Sequence, residues 1–276
     1  MSPASNPEVV GLLAPGVLAG RTALITGGGS GIGRASAVAL AAAGASVIVV
    51  GRREEPLAET VALIEEAVGA TGGDATATAL TCDIREPDAV DELLNEALGI
   101  VDRIDILVNS AGGQFVSPAE AISYNGFRAV TRLNLDATWY LTTQVAVRSM
   151  IPSGYGKVVS ITMTPRRGMP GMAHSSAARA GVESLTRTLA VEWGRYGIRL
   201  TAVAPGIVHT AAWERYGLDP DQVSTVVPLG RLQAADEVAA LVAFLASPGG
   251  DYISGATLVA DGGLDVSGPG SAFGKA

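Results

Sequence analysis

Two patterns of apolar positions alternate along the 276-residue chain. Short runs rich in β-branched residues predict strands, and longer stretches in which apolar residues recur every three or four positions predict helices. A run such as Val47–Val50 is apolar on both faces, which is typical of a parallel sheet covered by helices on both sides. The alternation predicts a single α/β domain, a doubly wound (Rossmann) sheet of seven parallel strands with helices on both faces.

The predicted elements fill the chain between two terminal segments. We expect an arm over residues 1–19, the domain over residues 20–266 and a mobile tail over residues 267–276. Strands are predicted at Thr22–Thr26, Ser46–Val50, Thr76–Thr81, Ile104–Val108, Lys157–Ile161, Arg199–Val203 and Thr257–Val259. Helices are predicted at Gly33–Ala43, Pro56–Val68, Asp88–Leu98, Gly126–Met150, Ser176–Tyr196 and Ala234–Ala246.

The composition argues against several kinds of partner. The net charge is −8 and no long basic run is present, so we expect no nucleic acid. No apolar run reaches the roughly 18 residues of a membrane span and the N-terminus carries no charged-then-apolar signal, so we predict a soluble cytoplasmic protein without a membrane contact. The single cysteine, Cys82, excludes an internal disulfide and is expected to pack as a small apolar side chain. We predict no metal site.

The first predicted strand runs into a glycine-rich turn and then into a helix. The segment Thr26–Gly33 reads TGGGSGIG, with the spacing T-G-x-x-x-G-x-G rather than G-x-G-x-x-G. Glycines let the chain turn tightly and let a pyrophosphate approach, and the helix N-terminus offers unpaired N–H groups with a partial positive charge. The turn therefore predicts a dinucleotide site. The residues expected to bind the dinucleotide there are Gly27, Gly29, Ser30, Gly31, Ile32 and Gly33.

The end of the second predicted strand indicates which nucleotide is bound. An enzyme that uses NAD places an acid here, on the ribose 2′-hydroxyl. This chain has Gly51, Arg52 and Arg53 instead, and a guanidinium suits a 2′-phosphate. We therefore predict NADP(H); the alternative is that the two arginines are a solvated loop pair. After the third strand, Asp83 and Ile84 are expected beside the adenine.

Further motifs together resemble the short-chain dehydrogenase/reductase family. They are NSAG at Asn109–Gly112, LNLDA around Asn134, APG at Ala204–Gly206 and DGG at Asp261–Gly263, and the resemblance runs from about Gly20 to Gly263. More narrowly, the segments GGQFVSPAE, HSSAARAGV and AVAPGIV resemble peroxisomal trans-2-enoyl-CoA reductases and the related 2,4-dienoyl-CoA reductases. Those enzymes use NADPH to reduce a carbon–carbon double bond conjugated to a thioester.

The resemblance implies roles for residues along the cleft. Asn134 would hold a helix kink and a water near the active site. The family's catalytic serine falls near Thr162 or Met163, and Thr162 or Thr164 could supply the hydroxyl or could instead satisfy the local backbone. Cofactor contacts are implied for Asn109, Ala111 and Gly112 on the adenosine side and for Pro205, Gly206 and Val208 beside the nicotinamide.

The family's usual tyrosine and lysine fall on Ser175 and Arg179. These positions share one face of a helix, and Arg179 keeps donors for the nicotinamide ribose. A serine hydroxyl is far less acidic than a lysine-activated phenol, and His174 points about 100° away from Ser175 and is expected only to pack. Conjugate reduction asks mainly for hydrogen bonds to an enolate oxygen. The pair therefore favours enoyl reduction over alcohol–ketone exchange.

Three functions stay open on the residues alone. The first is an NADPH-dependent enoyl-thioester reductase. The second is a carbonyl or alcohol oxidoreductase with a variant site, acting on a terpenoid or a polyketide, and the third is a catalytically weak nucleotide-binding protein. The segment Thr210–Arg231 lies where the family carries a substrate lid, although a surface helix hairpin would have the same pattern. The resemblance also implies a homotetramer in which the helices Gly126–Met150 and Ser176–Tyr196 form an interface. Both helices carry more apolar positions than one face on the sheet requires, and on the second the examples are Val182, Leu185, Leu189 and Trp193.

Overall fold

The computed structural model describes residues 13–164, 168–210 and 219–267. Its strands are β1 (Thr22–Thr26), β2 (Ser46–Gly51), β3 (Ala77–Thr81), β4 (Ile106–Asn109), β5 (Gly156–Ile161), β6 (Ile198–Pro205) and β7 (Ala256–Ala260). They form one seven-stranded sheet in the order β3-β2-β1-β4-β5-β6-β7, and every neighbouring pair is parallel. The predicted doubly wound sheet is confirmed.

Helices cover both faces of this sheet. The longer helices are α1 (Gly31–Ala42), α2 (Glu54–Thr71), α3 (Pro87–Ile100), α4 (Tyr124–Thr131), α5 (Ala137–Val145) and α6 (Ala173–Trp193), followed by α7 (Pro220–Ser224) and α8 (Ala235–Ala246). Helices α1, α2 and α8 pack on one face, and α3, α5 and α6 pack on the other. On β1, Ala23 and Ile25 face the first layer and Leu24 faces the second. This two-sided burial explains why the strands are apolar along their whole length.

The order of the strands fixes where a ligand can bind. The chain moves outward from β1 to β2 and β3, and then returns to the other side of β1 with β4. In open sheets of this type, the crevice lies beyond the carboxyl ends of the strands at the point of reversal. The turn after Thr26 and the segment after Asn109 therefore face each other across this crevice.

The helix predicted over Gly126–Met150 is not a regular α-helix. It contains two π-helical turns, at Arg132–Asp136 and Ala146–Met150. Each turn carries a buried polar side chain that forms hydrogen bonds with both the N–H and the carbonyl of one residue outside the helix. The amide of Asn134 accepts from the N–H of Gly113 at 3.0 Å and donates to its carbonyl at 2.8 Å, and Ser149 does the same to Ile104 at 2.7 and 3.1 Å. The kink expected at Asn134 is thus a π-turn.

The end of the predicted N-terminal arm differs from the expectation. Leu18, inside the predicted arm, is 1% exposed, and its N–H donates to the carbonyl of Ala43 at 2.8 Å. The end of the predicted arm is therefore packed on the domain. Residues 1–12 and 268–276 lie outside the described residues. Within the described ranges, no helix has the length and apolar character required to cross a membrane.

The apolar residues of α6 serve mainly the protomer's own core. Val182, Leu189 and Trp193 are 2%, 9% and 9% exposed, so the expectation that they lie at an interface was wrong for these three. The free apolar surface lies beside them, in a groove of about 520 Å³ that Leu135, Trp139 and Leu185 help to line. Periodicity cannot separate the apolar residues that pack in the core from those that line the groove, because both follow the same helical repeat.

Candidate active site

The phosphate-binding turn has the backbone that its glycines predict. Gly27 and Gly31 have φ values of +67° and +52°, in the left-handed region that favours glycine. A Cβ on Gly33 would lie 2.3 Å from the carbonyl oxygen of Gly27, so α1 packs directly against the turn. The turn therefore presents the N-terminus of α1 toward the carboxyl edge of the sheet.

A cavity of about 460 Å³ lies next to this turn. Neither the N–H of Gly29 nor that of Ser30 has a hydrogen-bond partner among the described residues. Two unpaired donors beside a glycine turn fit a phosphate group. Of the residues predicted to bind the dinucleotide, this cavity is lined by Gly27, Gly29, Ser30, Arg52, Arg53, Asp83, Ile84, Ala111 and Gly112.

The charged residues that line this cavity differ in whether they already have an ion-pair partner. Arg52 and Arg53 are exposed and form no hydrogen bond or ion pair within the part of the chain that is described. Asp83 accepts three side-chain hydrogen bonds from Arg85, at 2.5 to 3.1 Å, and these bonds hold the pKa of Asp83 below its usual value. The arginines are free to meet an anion, whereas the carboxylate predicted beside the adenine already has a cationic partner.

A larger cavity of about 790 Å³ continues from Gly112, which lines both spaces. Its wall includes the residues predicted beside the nicotinamide together with the ends of β5 and β6. The lining residues that matter here are Ile32, Gly112, Gln114, Phe115, Thr162, Met163, Arg179, Pro205, Gly206 and Val208. Most of the sequence-predicted residues of the two halves thus line two cavities that meet at Gly112.

Arg179 lies at the junction of the two cavities. Its Nη1 donates to the carbonyl of Ile161 at 2.7 Å, and a Cβ on Gly112 would lie 2.1 Å from its Nη2. Burial lowers the pKa of Arg179 to about 10, so the guanidinium is still charged at neutral pH. A side chain on Gly112 would have to displace the end of the Arg179 side chain.

Ser175 does not line the cleft itself but contacts Gln114, which does. It is 0% exposed, and its Oγ donates to Oε1 of Gln114 at 2.7 Å. Gln114 lines the larger cavity, and Ser175 is not among the lining residues. Because Oε1 faces the serine, the amide Nε2 of Gln114 keeps two N–H donors for the cavity. We missed Gln114 in the sequence, where the only signal was its place in GGQF beside the nucleotide motif.

The hydroxyls proposed for the family's serine are engaged with the backbone. Thr162 donates to the carbonyl of Val203 at 3.2 Å, and Thr164 donates to that of Pro205 at 2.9 Å. Thr162 still lines the larger cavity. Of the positions considered for the family's serine, however, the one that contacts Ser175 is Met163, whose sulfur lies 3.6 Å from the serine Oγ. Both threonines therefore tie the end of β5 to β6, and a catalytic role for Thr162 stays a prediction.

The two asparagines also differ in their placement. Asn134 fixes Gly113 and so shapes the loop that carries Gln114. Asn109 does not line either cavity, since its Nδ2 donates to the hydroxyls of Thr142 and Ser160 at 2.9 and 3.2 Å. The strand alternation turns this side chain into the layer of α5, and the cofactor contact implied for Asn109 stays a prediction.

His174 lies behind the site and packs, as expected. It is 0% exposed, and its ring meets that of Phe115 edge-on at 4.3 Å between centroids. Its Nδ1 accepts from the N–H of Ser175 at 2.7 Å, while Nε2 has no partner among the described residues. Burial lowers the pKa of His174, so the ring is neutral and supports the serine backbone rather than its hydroxyl.

The wall on the nicotinamide side is closed by tight packing. A Cβ on Gly206 would lie 2.8 Å from the Cα of Asp261, and the Gly206 N–H donates to Gln233 Oε1 at 3.2 Å. Of the predicted lid, Trp213, Tyr216 and Leu218 lie outside the described residues. Its later part returns to the domain, where Val227 is 6% exposed.

Comparisons with known proteins agree with this geometry. The model of the family described as enoyl-(acyl carrier protein) reductase matches residues 27–265. The chain belongs to the short-chain dehydrogenase/reductase family. Members of this short-chain family are oxidoreductases, and the chain shares its fold with solved structures of the family, among them levodione reductase, to which it is 33% identical with a TM-score of 0.85.

Three relatives illustrate the match. The chain is 39% identical to a probable 2,4-dienoyl-CoA reductase, (2E)-enoyl-CoA-producing, of Bacillus subtilis, over 88% of this chain and 96% of that protein. It is 37% identical to a peroxisomal 2,4-dienoyl-CoA reductase, (3E)-enoyl-CoA-producing, of Pongo abelii, over 96% and 90%. Among solved structures, the citronellol catabolism dehydrogenase AtuB of Pseudomonas aeruginosa PAO1 is 42% identical with a TM-score of 0.80, over 92% and 98%.

Proposed function

We propose that the protein is an NADPH-dependent reductase that saturates the conjugated carbon–carbon double bond of an enoyl thioester of the CoA type. One observation carries the proposal. Within the described residues, the polar side chains that line the larger cavity are an amide, a guanidinium and three hydroxyls, those of Ser110, Thr162 and Thr210, and no tyrosine or lysine lines it. Such a wall can donate hydrogen bonds to a developing oxyanion, but it holds no group that matches a lysine-activated phenol as an acid.

The first half of the cleft fits the dinucleotide. Gly29 and Ser30 offer unpaired N–H groups for the pyrophosphate, and Arg52 and Arg53 offer free guanidinium groups where a carboxylate would select NAD. Arg179 would hold the nicotinamide ribose, since one of its nitrogens is fixed by Ile161 and its side chain lines the larger cavity. When bound, NADPH supplies a hydride.

The second half fits the acyl thioester. During conjugate reduction, negative charge gathers on the thioester oxygen, and the amide Nε2 of Gln114 is the donor available to it. Ser175 holds the other end of this amide, so the donor is oriented before the substrate binds. The proton that completes the reaction goes to the α-carbon from water, and no residue with a perturbed acid pKa is required.

A second function has its own support. The 42% identity to a dehydrogenase named for citronellol catabolism favours an oxidoreductase of terpenoid alcohols or aldehydes. Such a reaction exchanges a proton at the substrate oxygen, and the site would have to do this with Ser175 and Gln114. The lining of the larger cavity favours an enoyl thioester over a terpenoid alcohol or aldehyde as the substrate.

The deciding experiment compares substrates with one cofactor. NADPH oxidation is followed with crotonyl-CoA, a 2,4-dienoyl-CoA, a simple ketone and a terpenoid aldehyde, and the reverse reaction with a terpenoid alcohol. We expect turnover with one or both CoA thioesters and little with the rest. Turnover of the aldehyde or ketone without turnover of either thioester would overturn the proposal.

We also propose a homotetramer in the cytoplasm. The apolar groove at Leu135, Trp139 and Leu185 is the surface that supports association, and Trp139 is 47% exposed in the single chain. Light scattering at micromolar concentration tests the assembly, and a monomer there would overturn it.

A further inference from the structure

Two side chains pack behind the phosphate-binding turn, on the side away from the cavity. Thr60, in α2, is 0% exposed. Its hydroxyl lies 2.9 Å from the carbonyl oxygen of Gly28 and 3.0 Å from that of Pro56, and it accepts from Nε of Arg34 at 3.0 Å. A buried hydroxyl with three partners has a fixed position.

Arg34, in the first turns of α1, completes the arrangement. Its Nη2 donates to the carbonyl of Gly29 at 2.7 Å, to that of Pro56 at 3.2 Å and to the carboxylate of Glu59 at 2.6 Å. The guanidinium therefore joins the turn to the start of α2. Its charge is balanced by Glu59 and is not directed at the cavity.

These contacts decide the orientation of two peptide groups. In a trans peptide, the C=O of one residue and the N–H of the next point in opposite directions. Because the carbonyls of Gly28 and Gly29 are held toward Thr60 and Arg34, the N–H groups of Gly29 and Ser30 point the other way. Both of these residues line the adenosine cavity, and both N–H groups lack a partner in the described residues.

The turn needs such a constraint. Gly27, Gly28 and Gly29 are consecutive glycines, whose peptide groups can rotate at little steric cost. A rotated peptide would present a carbonyl oxygen to the cavity, and an oxygen dipole repels an anion. The glycines allow the phosphate to approach, and something outside the turn has to select the orientation that attracts it.

We propose that Thr60 and Arg34 are positioning residues for pyrophosphate binding, which hold the Gly28 and Gly29 carbonyls away from the cofactor. The inference rests on the dinucleotide site proposed above. Neither residue lines the cavity, so they act on the ligand through the peptide groups of the turn. Helix α2 begins directly after Arg53, so the same contacts also fix the distance between the turn and the two arginines.

The test is an isosteric substitution read out by binding. Thr60→Val keeps the shape and removes the hydroxyl, Thr60→Ser keeps the hydroxyl, and Arg34→Met keeps an apolar stem without the donors. Affinities for NADP⁺ and NAD⁺ are measured by calorimetry, and that for adenosine 2′-monophosphate, which has no pyrophosphate, by ligand-observed NMR. Thermal melting of the unliganded variants checks the fold.

We expect Thr60→Val and Arg34→Met to bind both dinucleotides about 5- to 30-fold more weakly, because each variant leaves one carbonyl of the turn, that of Gly28 or that of Gly29, without its hydrogen bond. Adenosine 2′-monophosphate should change less than about twofold, and Thr60→Ser should regain the wild-type affinities. Unchanged dinucleotide affinities, or equal losses for all three ligands, would overturn the inference.

Dinucleotide binding by the wild-type protein distinguishes a failure of this inference from a failure of the proposed function. If it binds NAD⁺ in preference to NADP⁺, the NADP(H) proposal fails, and a loss of NAD⁺ affinity in Thr60→Val still supports the positioning role. If the wild type binds neither dinucleotide, both proposals fail together.

Discussion

The two halves of the cleft hold their polar groups in opposite ways. On the adenosine side, Arg52 and Arg53 form no side-chain hydrogen bond or ion pair among the described residues, and the N–H groups of Gly29 and Ser30 have no hydrogen-bond partner there. On the substrate side, the polar side chains are held by a second residue: Ser175 holds the amide of Gln114, and the carbonyl of Ile161 holds one nitrogen of Arg179. Free groups gain their interaction only when a ligand arrives, so they contribute to affinity. Groups that are fixed in advance need no reorganisation during the reaction and contribute to rate. Substitutions in the two halves should therefore separate binding from turnover.

The largest effect is expected on the substrate side. Ser175→Ala and Gln114→Leu should each lower kcat on an enoyl-CoA by about 10- to 1000-fold, the range for a lost oxyanion donor. If the serine acts by orienting the amide, the double variant should be no slower than the slower single variant. Steady-state kinetics of the four proteins at saturating NADPH measure this.

Ser176→Ala is the matched control, because that hydroxyl accepts only from the Met169 N–H in the described residues and should leave kcat within about twofold. Full activity in Ser175→Ala would show that the serine is structural. Independent losses that multiply in the double variant would show that Ser175 and Gln114 act separately, and Thr162 would then be the next residue to test.

The next effect belongs to the adenosine side. Arg52→Ala should weaken NADPH binding by about 10- to 100-fold, since hydrogen bonds to a charged partner are among the strongest. NADH binding and kcat at saturation should stay within about twofold. Arg195→Ala, which removes an exposed arginine stacked on Tyr196, is the control. Equal losses for NADPH and NADH would exclude a role in recognising the 2′-phosphate.

The difference between the halves also explains what the sequence could predict. The turn from Gly27 to Gly33 is contiguous, and its chemistry follows from the order of its residues. The contact between Gln114 and Ser175 joins positions 61 residues apart, and no local pattern encodes it. The engagement of Asp83 by Arg85 depends on side-chain conformation, which residue type alone does not specify.

The fold also has features that a local sequence pattern predicts and features that it does not. The apolar runs predicted every strand to within a few residues, because burial on both faces leaves a strong signal. The π-turns at Asn134 and Ser149 were not predicted beyond the kink, since one extra residue in a turn barely changes a helical repeat. The hydrogen bond from Asn109 to Thr142 of α5 was not predicted either, because a strand of four residues, Ile106–Asn109, gives too little alternation to show which layer its last side chain enters.

Gly112 joins the halves, and its substitution tests how rigid the junction is. A Cβ there would meet Arg179 Nη2 at 2.1 Å, so Gly112→Ala should push the guanidinium aside and raise the KM for NADPH by about 10-fold. Arg179→Ala should raise the KM by a similar factor, because the ribose contact is lost. The double variant should be no worse than Arg179→Ala alone. Additive losses would mean that Gly112 has a second function in the turn.

The smallest effect concerns the back of the substrate half and is a change in stability. The pKa of His174 is lowered by burial from its ordinary value of 6.5. As the pH falls below that value, the unfolded chain takes up a proton that the folded chain does not, so the stabilisation is complete above pH 6.5 and declines in acid. His174→Gln cannot titrate there, and its side-chain oxygen can still accept from the Ser175 N–H. Its midpoint of urea unfolding should therefore fall less steeply than that of the wild type between pH 6.5 and pH 5. Parallel slopes would mean that other groups control acid unfolding and that the ring contributes packing alone.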